Sequence, residues 1–259
     1  MSFLDKILES KRIEIAQCKA RISQSEIERM AAARTGFRGF ENSLNQDGVR
    51  IISEIKRASP SKGDINPDLN PALVAVAYQE GGAAALSVLT EPNFFKGTQE
   101  DLKRTRAAVE LPVLRKDFII DPYQVYESAA IGADAILLIV RILDDVTLHS
   151  LYSLARDLGL DILTEIFDEE DAKRAATLKA TMIGINNRDL AHFKTNIKHA
   201  VRVAKLLPES TSVVAASGVH SKADIEFNLN NDIRRFLIGE ALVKQANPVA
   251  TLKEWTNQG

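Results

Sequence analysis

Short, nearly continuous runs of Val, Ile and Leu recur along this chain, and a stretch with helical spacing follows each one. From Arg50 the runs are RIISEI, ALSVLT, PVLRK, AILLIV, DILTEI, MIGINN, SVVAAS and RFLIG. Helices are expected after Pro71, after Thr98, from Asp121, Asp144 and Asp168, near Thr195, and from Ser221 and Glu240. A strand with one wet face alternates apolar and polar residues, whereas a strand covered on both faces does not. The pattern therefore indicates a parallel sheet with helices packed against it. Side-chain oxygens at Asp121, Asp144, Asp168 and Ser221 are placed to cap free N–H groups at helix starts. Eight strand–helix units in 259 residues suit a closed (β/α)8 barrel, an α/β fold of about this size. A doubly wound open sheet is the alternative. For dinucleotides that fold carries a G-x-G-x-x-G turn after its first strand, which this sequence lacks.

Ahead of the first run, Leu4, Ile7, Leu8, Ile15, Cys18 and Ile22 recur among many charges and predict one or two amphipathic helices between Phe3 and about Ala33. The chain is thus read as one barrel domain over residues 1–259, with 1–45 as an N-terminal helical extension. With 33 Lys and Arg against 35 Asp and Glu the net charge is −2, which leaves no basic stripe for nucleic acid. The most apolar stretch, Ala135 to Val140, is far short of the ~20 residues that span a bilayer. The opening MSFLDKILESKRIEI has no apolar signal region, and the single Cys18 offers no disulfide partner. A cytoplasmic protein is expected, with no membrane or nucleic-acid partner. His149, His192, His199 and His220 show no ligand spacing, and no P-loop, H-E-x-x-H or EF-hand pattern occurs, so no metal is expected.

In such barrels the active site lies at the C-terminal ends of the strands. The first strand ends in Glu54 and Lys56 and runs into Ser59-Pro60-Ser61-Lys62-Gly63; the third carries Lys116 and Asp117. The fifth ends in Glu165, the sixth in Asn186, Asn187 and Arg188, the seventh in Ser217-Gly218 and the eighth in Gly239-Glu240. Any one of these alone is also what a solvated rim looks like. Glu54, Lys56, Lys116 and Glu165, however, lie in or against apolar runs, where an unpaired charge is costly and mutual pairing would offset the cost. Gly218 and Gly239 close the two strands whose loops hold phosphate in many barrels; each is alternatively a plain turn glycine. Ser59 could add a hydroxyl to the same anion.

The segments Glu54-Ile-Lys-Arg-Ala-Ser-Pro-Ser-Lys-Gly63, Leu114-Arg-Lys-Asp-Phe118, Thr164-Glu165, Gly184-Ile-Asn-Asn-Arg188, Ala216-Ser-Gly218 and Phe236-Leu-Ile-Gly-Glu-Ala-Leu242 together strongly resemble the indole-3-glycerol-phosphate synthase family of tryptophan biosynthesis, from about Phe3 to the C-terminus. With one barrel, the chain looks monofunctional. The resemblance implies conversion of 1-(2-carboxyphenylamino)-1-deoxyribulose 5-phosphate to indole-3-glycerol phosphate, with loss of carbon dioxide and water and no cofactor. It implies Lys116 as general acid, Lys56 on the anthranilate carboxylate and as a second candidate for proton transfer, Glu165 as acid or base in the dehydration, and Glu54, Asn186 and Arg188 as positioning groups; which lysine serves which step is left open by the sequence. Ser59, Phe118, Ser217, Gly218, Gly239 and Glu240 are the expected substrate contacts, Glu240 through its backbone N–H because the family often has Ser there. A monomer is expected, with other tryptophan-pathway enzymes as a further class of partner. The extension is expected as a lid over the mouth, a plug beneath the barrel or an oligomer contact being the alternatives. Two rival readings remain at this point: a Schiff-base aldolase on a phosphorylated sugar, and a silent phosphosugar-binding barrel.

Overall fold

The computed structural model describes residues 3–60, 62–189 and 194–256; Ser61 and His192 lie outside them. Eight parallel strands close a barrel: β1 (Arg50–Ile55), β2 (Ala85–Leu89), β3 (Val113–Lys116), β4 (Ala135–Ile139), β5 (Asp161–Ile166), β6 (Met182–Asn186), β7 (Ser212–Ala216) and β8 (Arg235–Ile238). Each pairs with its successor, and β8 pairs back onto β1 with Ser53 opposite Ile238. The runs read from sequence therefore form the barrel wall, and most of the strands stop a residue short of them because the last residue already turns into the loop. Val140 leaves β4 for a single 3-10 turn, Val140–Ile142.

The helices are α1 (Phe3–Arg21), α2 (Gln24–Ala32), α3 (Phe40–Leu44), α4 (Pro71–Glu80), α5 (Gln99–Ala108), α6 (Pro122–Ile131), α7 (Asp145–Asp157), α8 (Glu169–Thr177), α9 (Lys198–Ala204), α10 (Lys222–Leu229), α11 (Glu240–Val243) and α12 (Pro248–Trp255). All four expected caps form: Asp121, Asp144, Asp168 and Ser221 accept from Tyr123, Thr147, Asp171 and Asp224 N–H groups. The helix expected near Thr195 begins later, at Lys198. Thr195 is instead drawn into an isolated antiparallel bridge with Arg188, and the Asn196 side chain accepts the Lys198 N–H. After β8 the helix is only four residues long, and α12 follows it separately.

The N-terminal segment serves both ends of the barrel. Helix α3 sits beneath it: Phe40 and Leu44 are fully buried against barrel-lining residues such as Ile52, Leu114 and Val214. Its backbone is held by the first residues of three strands, with Asp161 accepting from the Glu41 N–H and Arg50 and Arg235 donating to the Ser43 and Leu44 carbonyls. Helix α1 lies at the opposite end, where Ile7 joins the same interior cluster beside Phe118 and Ile139. Between them, Ser23 caps α2, which packs on α6, and the Tyr123 hydroxyl donates toward the Cys18 and Ile22 carbonyls. Among the described residues no helix is long and apolar enough to cross a membrane.

Candidate active site at the C-terminal mouth

Strand register brings the polar strand ends to one level. Glu54 stands opposite Ser87, Leu89 opposite Lys116, Ile139 opposite Glu165, and Asn186 opposite Ala216. Glu54, Lys56, Ser59, Lys116, Phe118, Glu165, Asn186, Arg188, Ser217, Gly218, Gly239 and Glu240 all line one cavity. Its remaining wall is largely apolar, and α1 supplies Phe3, Leu4 and Ile7 to it.

The four charges pair as their burial demands. Lys56 Nζ lies 2.5 Å from Glu54 Oε1 and Lys116 Nζ 3.1 Å from Glu165 Oε2. Burial pushes the Glu54 carboxyl toward protonation, but Lys56, Lys116 and Arg188 more than offset this, and its pKa lies below the ordinary value. Asn186 organises the other pair: its amide donates to Glu165 Oε1 at 3.3 Å, and its oxygen accepts the Arg188 N–H at 3.0 Å. One carboxylate, Glu165, thus touches both an ammonium and an amide. Two cationic donors face a largely apolar cavity in which a developing oxyanion would be stabilised.

The expected anion loops have mixed explanations. Gly218 (φ +79°) follows Ser217, which itself holds φ +66°, a conformation non-glycine residues rarely adopt. A Cβ on Gly218 would also collide with the Thr195 methyl at 2.5 Å. Gly239 has a different reason: a Cβ there would strike the Glu54 carboxylate and side chain, so this glycine makes room for a site residue. Ser59 is buried, and its hydroxyl has no partner among the described residues. The Glu240 side chain is taken up by cations of the rim. Its carboxylate lies 2.7 Å from Lys244, 3.8 Å from Arg188 and 3.9 Å from Lys62. Burial works to raise its pKa, but Lys244, Lys62 and Arg188 bring it below the ordinary value.

Sequence reading named Phe118 but missed Phe95, whose ring lies 6.3 Å from it in the cavity wall, because Phe95 sits in a loop without periodicity. It missed Phe3, Leu4 and Ile7 for another reason: helical spacing shows which side is apolar but not what that side covers. Among the described residues no group of three or more His, Cys, Asp or Glu is arranged around a metal position.

A (β/α)8 barrel with paired lysines and carboxylates at its C-terminal mouth, beside an unpartnered hydroxyl and a left-handed Ser-Gly turn, belongs to the class of barrel enzymes that run acid–base chemistry on small anionic substrates. Solved structures share that architecture at low identity. 3-Hexulose-6-phosphate synthase from Salmonella typhimurium superposes with TM-score 0.65 at 14% identity, covering 80% of this chain and 97% of the other. Thiamine phosphate pyrophosphorylase from Pyrococcus furiosus gives 0.60 at 15%, covering 81% and 94%. These show the fold. Residues 4–255 match the family model of indole-3-glycerol phosphate synthase, and the enzyme of that name from Desulfosudis oleivorans is 49% identical over 255 residues, 97% of each chain. The chain belongs to the indole-3-glycerol phosphate synthase family, and it is a decarboxylating lyase of tryptophan biosynthesis.

Proposed function

We propose that the mouth closes the indole ring of 1-(2-carboxyphenylamino)-1-deoxyribulose 5-phosphate with Lys116 as the general acid. The observation that carries this reading is the pair of lysine–glutamate contacts facing one apolar-walled cavity. Attack of the anthranilate ring carbon on the ketone pushes an electron pair onto the carbonyl oxygen, which takes a proton from Lys116. The carboxylate then leaves as carbon dioxide, its bonding electrons returning to the ring. Departure of the new hydroxyl as water needs an acid on that oxygen and a base for the remaining proton. The Lys116–Glu165 pair, 3.1 Å apart, can supply both; over the cycle it gives two protons and takes back one, so one proton is drawn from solvent, the proton consumed when a carboxylate leaves as carbon dioxide.

Lys56, held by Glu54, is assigned to the anthranilate carboxylate. Phe95 and Phe118 offer flat apolar surfaces to the aromatic ring. Asn186 and Arg188 hold Glu165 and the rim, while Ser59, Ser217, Gly218 and Gly239 take the phosphate and ribulose hydroxyls. A Schiff-base lysine must reach its neutral form, usually through desolvation or a cationic neighbour. Both mouth lysines have carboxylate neighbours instead, which disfavours the aldolase reading. The enzyme is proposed to work as a cytoplasmic monomer without cofactor. Mixing purified protein with the carboxyphenylamino-ribulose phosphate should produce indole fluorescence together with carbon dioxide; release of neither, with the protein folded, would refute the assignment.

A further inference from the structure

Helix α1 is mostly exposed and charged, yet Lys11 in its third turn is only 1% exposed. Its ammonium lies 2.8 Å from Asp117 Oδ1 and 2.6 Å from Glu14 Oε2. Asp117 is buried too, and its oxygens also accept from Thr90 Oγ1 at 2.6 Å, Arg115 Nη2 at 3.0 Å and the Phe118 N–H at 2.8 Å. Burial opposes the Lys11 charge, but Asp117 and Glu14 outweigh it and raise its pKa, whereas burial leaves Glu14 itself raised despite Lys11. Asp117 is the larger of the two influences on Lys11; burial works to raise its own pKa, but Lys11, Arg115 and its hydrogen bonds hold it far below the ordinary carboxylate range.

Packing alone would not need an ion here. An apolar residue would bury on this stripe without desolvating an ammonium, since Phe3, Ile7, Lys11 and Ile15 follow one another at i, i+4 spacing on one face. What the ion pair adds is direction. It ties down the helix that contributes Phe3, Leu4 and Ile7 to the cavity, and it holds the carboxylate of Asp117, the residue after Lys116, which accepts the Phe118 N–H. We propose that Lys11 is a positioning residue for the reaction, joining the helix over the mouth to the end of the strand that carries Lys116. The inference rests on Lys116 acting as proposed above.

The test is steady-state kinetics of the full chain with Lys11→Met, Asp117→Asn and the double variant, normalised to folded protein by circular dichroism. A displacement of about 1 Å at a reacting group can cost on the order of 100-fold. Lys11→Met should accordingly lower kcat by about 10- to 100-fold with KM changed less than about threefold, and the double variant should be no slower than the slower single variant. A kcat within about twofold of the parent, whatever happens to Tm, overturns the proposal; so do losses that multiply in the double variant. Should Lys11→Met fail to fold, Asp117→Asn leaves the Lys11–Glu14 and Arg115–Glu127 pairs in place and carries the same test, with an unchanged kcat again overturning it. Lys116→Met run in parallel separates the two readings. Normal turnover there removes Lys116 as the acid, whereas a dead Lys116→Met beside a normal Lys11→Met removes only the positioning role.

Discussion

Strand β3 carries two buried cations side by side, and they face different worlds. Arg115 points outward into the helix layer and is fully buried, with every N–H in use: Nε to Thr90, Nη1 to the Gln124 carbonyl and Ser128, Nη2 to Asp117 and Glu127. Lys116 points inward to the mouth, 17% exposed, and among the described residues its ammonium donates to Glu165 alone. Both are charges in an apolar run, the signal that marks a functional site in sequence. Saturation separates them: a cation whose donors are all satisfied has nothing left for a substrate, while one with donors to spare can bind and transfer a proton.

Substituting the two in turn should split rate from stability. Lys116→Met is expected to lower kcat by at least about 10²-fold, the lower bound for a positioned acid, with a smaller effect on KM. Lys116→Arg should fare little better, because guanidinium keeps the charge but does not release a proton; near-normal turnover in it would shift the acid role to Lys56. Arg115→Met strands Glu127 and should cost about 3–5 kcal/mol, read from the urea midpoint. A loss below about 1 kcal/mol would dissolve the contrast from the structural side.

A smaller effect is expected on the anion side of the mouth. Gly218→Val places a branched side chain at φ +79° and against Thr195, so KM for the phosphorylated substrate should rise far more than for a surface change. Unaltered affinity would place the anion elsewhere.

The smallest expected effect is a pH dependence. Burial pushes Asp117 up, but Lys11, Arg115 and its hydrogen bonds hold its folded pKa far below the ordinary ~3.9, so its contribution to stability is complete above that value and fades as pH falls beneath it. Lys11, raised in the fold, contributes fully below about pH 10.4 and loses that contribution only above it. Urea titrations from pH 7 to 3 should therefore show the parent converging on Asp117→Asn below about pH 4. Parallel curves over that range would mean that Asp117 is not held low.

The barrel was legible because its cause is local and repetitive. Eight doubly covered strands write themselves as eight apolar runs, and four caps announce their helices with Asp or Ser. The mouth residues were legible for the same reason, since parallel strands all end at one side and position in the run becomes position in space. Tertiary structure decided the rest. Helix α1 reads as an ordinary amphipathic surface, and Lys11 there looks like one more solvated charge until a strand about a hundred residues away offers Asp117. Gly239 reads as a turn residue, yet what excludes a side chain there is Glu54, brought beside it by closure of β8 onto β1. Periodicity records how each element meets the core as a whole, and that much the chain carries by itself. Which individual side chain meets which across the closed barrel depends on shear, rotation and packing, and those exist only once the strands have joined.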